Sequence, residues 1–193
     1  MHPALPNSES YPKTVVLRDG AEVTLRPLQG GDKVRLLEFF KNVPEEDRYY
    51  LKENVTAPEI IREWTANIEF DRIIPIVGLA NDRIIADATL HRSRAMARPH
   101  LGEVMVVVDP AYREVGLGRR LIREMLDIAE DLGLHTVIIE LVSGRESPAI
   151  NAASRVGFKE IATLPERIKD FWGNYQNLVL LEMPLTDRHQ WWY

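Results

Sequence analysis

Residues 106–120 read VVVDPAYREVGLGRR, and their reading decides how the rest of the chain is understood. A β-branched run, Val106, Val107 and Val108, ends at Asp109-Pro110. Arg113 follows after a short loop, then Gly116, Leu117 and Gly118, where a helix opens. The pattern is a strand that delivers a glycine-containing loop to a helix N-terminus. Such a terminus carries unpaired backbone N–H groups and a partial positive charge, so it suits a phosphate or pyrophosphate. Glycine at 116 and 118 lets the backbone approach an anion with no Cβ in the way. A phosphorylated cofactor is therefore expected.

Three phosphate sites compete for this stretch. A P-loop needs GxxxxGK[ST], and no Lys-Ser or Lys-Thr follows Gly118. A dinucleotide loop wants GxGxxG, and residues 116–121 are GLGRRL, without the third glycine. An RxxGxG loop for the pyrophosphate of coenzyme A fits Arg113-Glu114-Val115-Gly116-Leu117-Gly118 without a gap.

Working outward, residues 15–17 and 22–26 read as strands around Asp19-Gly20, and Asp32 is placed to cap a helix over 32–42. Val34, Leu36, Leu37 and Phe40 form the expected apolar face of that helix, and Pro44 stops it. A second helix opens at Ala57-Pro58, with Ile60, Ile61, Trp64 and Ile68 at helical spacing. Residues 73–80 and 83–92 are strands joined by the hairpin signal Asn81-Asp82. Residues 102–108 are the strand entering the opening motif. A helix over 116–132 follows, ended by Gly133, then a strand over 136–142 and a short helix near 148–155, ended by Gly157. Residues 158–163 and 178–183 are the last strands. The order predicts an α+β fold, a mixed and mostly antiparallel sheet of about seven strands flanked by about four helices. Residues 1–13 read as a polar, Pro-rich arm, 14–186 as one domain and 187–193 as an aromatic tail that hints at a homodimer.

Composition narrows the function. The chain has 193 residues, 45% of them hydrophobic, enough for a full-sized core. A net charge of −5 with no basic run argues against nucleic acid as a partner. The lack of cysteine excludes disulfides, a Cys nucleophile and thiolate metal sites, and no metal is expected. No signal peptide is expected, and no apolar run reaches the roughly 18 residues of a membrane span, so the expected location is cytoplasmic with no membrane partner.

With VVVDPAYREVGLGRRL, RPL at 26–28 and AINAASRVGF at 149–158, the chain resembles the GNAT family of N-acetyltransferases, over residues 22–185. The resemblance implies acetyl-CoA as co-substrate. It implies that the N–H groups of Val115, Gly116, Leu117, Gly118 and Arg119 hold the pyrophosphate, with Arg113 framing the loop and Glu114 within it. Arg119, Arg120 and Arg123 lie on the first helical turns, where one could meet the 3′-phosphate. The strand at Val106, Val107 and Val108 would splay from the strand at 136–142, and the pantetheine arm would pair in the gap like an added strand. A backbone N–H near Val106 or Val107 would act as oxyanion donor, worth about 3 kcal/mol.

The implied reaction is direct attack of an amine on acetyl-CoA in a ternary complex. The amine arrives as ammonium and needs a base. Glu103, on the same strand, is the first candidate and Glu140, on the next, the second. Alternation puts Glu103, Met105 and Val107 on one face and Val104, Val106 and Val108 on the other. Asp87 and His91 share a face with Thr89 on the earlier strand and are candidates for substrate binding or proton relay. Asn151 is a candidate CoA contact.

The chain departs from the pattern at two places. Many members carry a Tyr four residues before the Gly-Phe pair as acid for the leaving thiolate, and here that residue is Ala153. The Asn seven residues before it is Glu146. Ser154, Tyr175 and Tyr112 are the possible substitutes. These departures keep two alternatives in play, a CoA-binding module without turnover and an acyltransferase for longer acyl groups.

In the family the first two helices select the acceptor. Here the segment between them is PEEDRYYLKENVTAPE, with Arg48 and Tyr49 as candidate substrate contacts. A second candidate wall is KDFWGNY at 169–175, a loop expected to overhang the acceptor site. The acceptor itself, a small-molecule or a protein amine, is left open.

Overall fold

The computed structural model describes residues 8–93 and 95–185. Its elements in chain order are β1 (Lys13–Val16), β2 (Glu22–Pro27), α1 (Lys33–Asn42), α2 (Glu45–Arg48), α3 (Pro58–Ala66), β3 (Ile73–Ala80), β4 (Arg83–Arg92), β5 (Leu101–Val108), α4 (Leu117–Asp131), β6 (Thr136–Val142), α5 (Ser147–Val156), β7 (Lys159–Lys169) and β8 (Tyr175–Pro184). The eight strands form one sheet in the order β1-β2-β3-β4-β5-β6-β8-β7. The β5–β6 pair is parallel, and β1–β2, β2–β3, β6–β8 and β7–β8 are antiparallel. This is the expected α+β arrangement, and the helix beyond the expected four is the single turn α2. Ser8–Ser10 forms a 3-10 turn and Lys13, the last residue of the expected arm, already belongs to β1. The expected aromatic tail lies outside the described residues.

By density of contact the described chain forms two compact units, residues 8–88 with 106–117, and residues 89–105 with 118–185. In the first, Asn81 (φ +48°) and Asp82 (φ +63°) are both left-handed, as the two-residue turn that matches strand twist requires. Its core gathers Leu36, Phe39 and Phe40 of α1, Ile61 of α3, and Val77 and Leu79 of β3, with Val107 of β5 packed against them. Phe40 meets Trp64 edge to face at 6.1 Å between ring centres. Val34, expected on the buried face of α1, is 64% exposed, and Phe39 is buried instead. The reason is angular: Leu36, Phe39 and Phe40 lie within one turn of each other, and Val34 stands about 200° around the helix from Leu36.

Asp32 stands where α1 begins, but it does not cap the helix with its side chain. Its carboxylate accepts from Arg26 Nη1 at 2.6 Å and Nη2 at 2.8 Å, and from the Gln29 N–H at 2.9 Å. A bidentate, charge-assisted pair is stronger than a neutral cap bond, so the guanidinium wins the carboxylate. Burial pushes the Asp32 carboxyl up, but its bonds to Arg26 and Gln29 outweigh that and hold it below the ordinary carboxylate range. The Arg26 guanidinium is held above its ordinary value, chiefly by its hydrogen bond to Asp32.

In the second unit α4 buries Leu121, Met125, Leu126, Ile128 and Ala129 at helical spacing. Gly133 (φ +69°) ends it, and the Leu134 N–H returns to the Ala129 carbonyl at 2.9 Å. Gly157 (φ +119°) ends α5, where a Cβ would also stand 2.7 Å from Met183 Cε. Gly102 of β5 lies in close packing: a Cβ there would meet Leu90 Cδ1 at 2.8 Å and Leu134 Cδ1 at 2.9 Å, so a larger residue would force those side chains to shift. β7, expected over 158–163, runs on to Lys169 through Pro165. It is the last strand of the sheet, and its register with β8 shifts between Leu164 and Ile168. Proline, which lacks an N–H for the ladder, is tolerated at such an edge irregularity.

Asp32→Ala strands a partly buried guanidinium and is expected to cost about 3 kcal/mol in urea unfolding. The Asp32 carboxyl is lowered in the fold. Its contribution is therefore complete above the ordinary carboxylate value near 3.9 and disappears as pH falls through the lower folded-state value. The urea midpoint of the natural chain should fall toward that of the Ala variant as pH drops below about 4; a pH-independent gap would show that the pair does not stabilise the fold.

Candidate functional site

β5 sets the geometry of the site. Its pairing with β6 covers Leu101–Glu103 against Thr136–Ile138. β5 then continues to Val108, and Met105, Val106, Val107 and Val108 are only half buried. The chain leaves β5 at Asp109, whose N–H donates to the Ile85 carbonyl at 2.8 Å and whose carboxylate accepts from the Ala111 N–H at 2.9 Å. Proline at 110 begins the resulting 3-10 turn, where its missing N–H costs nothing.

Two arginines hold the loop between this turn and α4. Arg113 folds back on the strand end: its Nε donates to the Val108 carbonyl at 3.0 Å, and its Nη2 donates to Asp47 Oδ2, just before the end of α2, at 2.9 Å. The ion pair is half exposed, so it orients the loop more than it stabilises the protein. Arg18, in the turn between β1 and β2, holds the loop's far side. Its backbone N–H donates to the Val115 carbonyl at 3.1 Å, and its guanidinium donates to the Glu114 carbonyl. Glu114 (φ +62°) and Gly116 (φ +97°) are both left-handed. α4 begins at Leu117, so the N–H groups of Leu117, Gly118 and Arg119 belong to the first helical turn, which has no intrahelical acceptors for them. Unpaired amides at a helix start are the kind of donors that bind an anion.

The candidate acids fall on neighbouring strands. Glu103 is half buried on β5 with Ile138 as its register partner. Paired residues share a face and side chains alternate, so Glu140 stands on the same face as Glu103, two residues further along β6, and is exposed. Asp87 and Thr89 are buried on β4, and His91 is half buried on the same face.

The acceptor segment is more occupied than its sequence implies. Arg48 donates from Nε to the Val43 carbonyl at 2.9 Å. Tyr49 is exposed and meets Tyr50 edge to face at 5.7 Å between ring centres. Glu53 accepts from Trp64 Nε1 at 3.0 Å. With Asp47 bound to Arg113, these two acids are engaged by other parts of the fold.

On α5, Asn151 is exposed and Ala153 is completely buried. Ser154 Oγ donates to the Ile150 carbonyl at 2.9 Å. Glu146 closes the turn after β6: its carboxylate accepts from the Val142 N–H at 2.5 Å, and its own N–H donates to the Val142 carbonyl at 3.1 Å. A carboxylate thus does the turn-closing work at the position where the resemblance leads one to look for Asn.

Residues 169–175, expected as an overhanging loop, form a tight hairpin end built on Asp170. The buried Asp170 carboxylate accepts from the N–H groups of Trp172 (3.0 Å) and Asn174 (2.8 Å), and from the side-chain amides of Asn174 (3.3 Å) and Gln176 (3.0 Å). Burial pushes its carboxyl up, and these donors outweigh the burial and hold it below the ordinary range. Phe171 and Trp172 stay exposed, and the Arg145 guanidinium lies 5.5 Å over the Trp172 ring. The Asp-x-x-Gly-Asn spacing is a turn signal legible in sequence. Arg18 had no such signal, because its partner Glu114 is 96 residues away.

The sequence model of the Acetyltransferase (GNAT) family matches residues 36–158. The L-amino acid N-acyltransferase MnaT of Escherichia coli (strain K12) is 27% identical over 89 residues, 46% of this chain. That alignment spans 51% of MnaT, about half its length. The GNAT domain of S. lividans PAT superposes with a TM-score of 0.74 at 21% identity, covering 89% of this chain and 96% of that one. yncA of Salmonella typhimurium, solved with its cofactor acetyl-CoA, superposes at 0.71 with 20% identity, covering 84% and 94%.

The lowered Asp170 carboxyl implies that the hairpin end keeps its order at neutral pH and loses it as pH falls through the folded-state value, below about 4. The NMR amide signals of Trp172 and Asn174 should shift together on acidification, and Asp170→Ala should show the acid-form signals already at pH 7. Signals that stay put in both cases would show that the carboxylate does not hold this turn.

Proposed function

The chain belongs to the acetyltransferase (GNAT) family, and from that premise we propose that it moves an acetyl group from acetyl-CoA to a primary amine. The observation that carries the reading is the amide cradle between β5 and α4, which lies inside the matched region. Its left-handed Glu114 and Gly116 and the opening of α4 suit a pyrophosphate. Val115, Gly116, Leu117, Gly118 and Arg119 supply the amides, and Arg113 frames the loop from its bonds to Val108 and Asp47. The backbone of Val106, Val107 and Val108 offers its ladder groups to the pantetheine arm, and the half-buried valines keep that edge dry. When bound, acetyl-CoA supplies an activated thioester.

Glu103 takes the proton from the ammonium, on the strand that carries the cradle. Glu140, on the same face and open to solvent, passes it outward. A CoA-like thiol has a pKa near 8.5, so the sulfur departs with little need of an acid. Ala153 has no proton to give, and Ser154 spends its hydroxyl on the Ile150 carbonyl. A second reading, a CoA-binding module without turnover, draws on the same missing acid.

The acceptor is a free amine of a small molecule or a protein, and the likeness to MnaT makes L-amino acids the first panel to try. Among the described residues no helix is long and apolar enough to cross a membrane. A cytoplasmic location accords with a chain that lacks cysteine.

Calorimetric titration with acetyl-CoA should show tight binding that Gly116→Trp abolishes. No binding by the unmodified chain would overturn the reading. Glu103→Gln should keep that affinity and lower thiol release with a competent amine about 10²- to 10⁴-fold. Binding without thiol release across amino acids, polyamines and peptides would favour the silent module.

A further inference from the structure

We infer that Arg18 is a positioning residue for anion binding, which aims the amides of Val115 and Gly116 by holding the carbonyls in front of them; this rests on the reading of residues 113–119 as the pyrophosphate cradle. In a trans peptide the C=O and the following N–H point in opposite directions. The Glu114 carbonyl accepts from the Arg18 guanidinium, so the Val115 N–H points away from Arg18. The Val115 carbonyl accepts from the Arg18 backbone N–H at 3.1 Å, so the Gly116 N–H points the same way. One residue thus turns two successive carbonyls to one side and two successive amides to the other.

The loop needs this restraint. Gly116 holds φ +97°, and with no Cβ it offers little steric resistance to a flip of the 115–116 peptide. A flip at 114–115 or at 115–116 would replace an N–H with a carbonyl oxygen in the cradle and repel a phosphate. The Arg18 side chain also lies across Gly116, where a Cβ would be 3.6 Å from its Nε and 3.9 Å from its Cγ. The turn that presents Arg18 is itself ordered: the Leu17 N–H donates to the Ala21 carbonyl at 2.9 Å, and the Ala21 N–H donates to Asp19 Oδ1 at 3.1 Å.

The test uses the full chain and two variants, Arg18→Ala and Arg18→Gln, the second keeping a polar stem should the first loosen the turn. Acetyl-CoA affinity is measured by calorimetry at low salt and at 1 M salt, where the screening length is about 3 Å. Both variants should bind about 10- to 100-fold more weakly, the worth of a charge-assisted hydrogen bond, and the loss should persist at 1 M salt. With inorganic pyrophosphate as probe, the NMR amide signals of Val115 and Gly116 should shift in the natural chain and stay still in the variants. Affinity within twofold of the natural chain in either variant would overturn the inference. So would a loss that vanishes at high salt, because Arg18 would then act as a distant charge and not through the loop. If the natural chain binds no acetyl-CoA, the cradle reading itself falls. If it binds and the variants bind equally, only the role of Arg18 falls.

Discussion

Two neighbouring parallel strands cannot be joined by a tight turn, and the structure around the candidate site depends on that constraint. β5 and β6 run parallel, so the chain leaving Val108 must cross through a helix before it returns at Thr136. The crossover helix α4 therefore starts near the C-terminal end of β5. Every helix leaves its first N–H groups without internal partners. In α4 these N–H groups begin at Leu117, directly after the loop that leaves β5. In the intervening loop the Glu114 and Val115 carbonyls both accept from Arg18.

Ionisable side chains divide by use. Asp32, Asp47, Asp170 and Glu146 are spent on the fold, each accepting from arginine or from backbone N–H groups. Asp32 and Asp170 are lowered because hydrogen bonds to the ionised form outweigh burial. Such a carboxylate is a poor base, since its proton affinity has already been reduced. Glu140 stands exposed on β6. The acidic turn at 45–53 resembles, as bare sequence, a patch for a cationic substrate. In the fold two of its acids are committed to Arg113 and Trp64.

Much of the fold is legible along the chain. Helix and strand leave periods of 3.6 and 2 in the positions of apolar residues, and α1, α3 and β4 carry them, while β6 is legible as a β-branched run. Turns are local as well: Asn81-Asp82, Gly133 and Gly157 announce their left-handed backbones through their chemistry. Local rules fail where a distant partner intervenes. Asp32 has the composition of a cap, and Arg26 on β2 takes its carboxylate. Pro165 has the look of a strand end, and the edge position of β7 lets the strand run through it. Gly102 gives no signal at all, because what it must avoid, Leu90 and Leu134, lies on other elements.

The order of elements, the glycine-containing turn at residues 113–118 and the strand face that holds Glu103 were determined by sequence alone, because each depends on residues within a few positions of one another. Tertiary structure alone decided which carbonyls Arg18 holds, which acid Arg113 meets, and that Ala153 is buried where an acid was sought. The physical reason is range. A dihedral preference or an apolar period acts over one turn or one strand, whereas the hydrogen bond between Arg18 and Glu114 spans 96 residues of chain and exists only after the fold has brought its ends together.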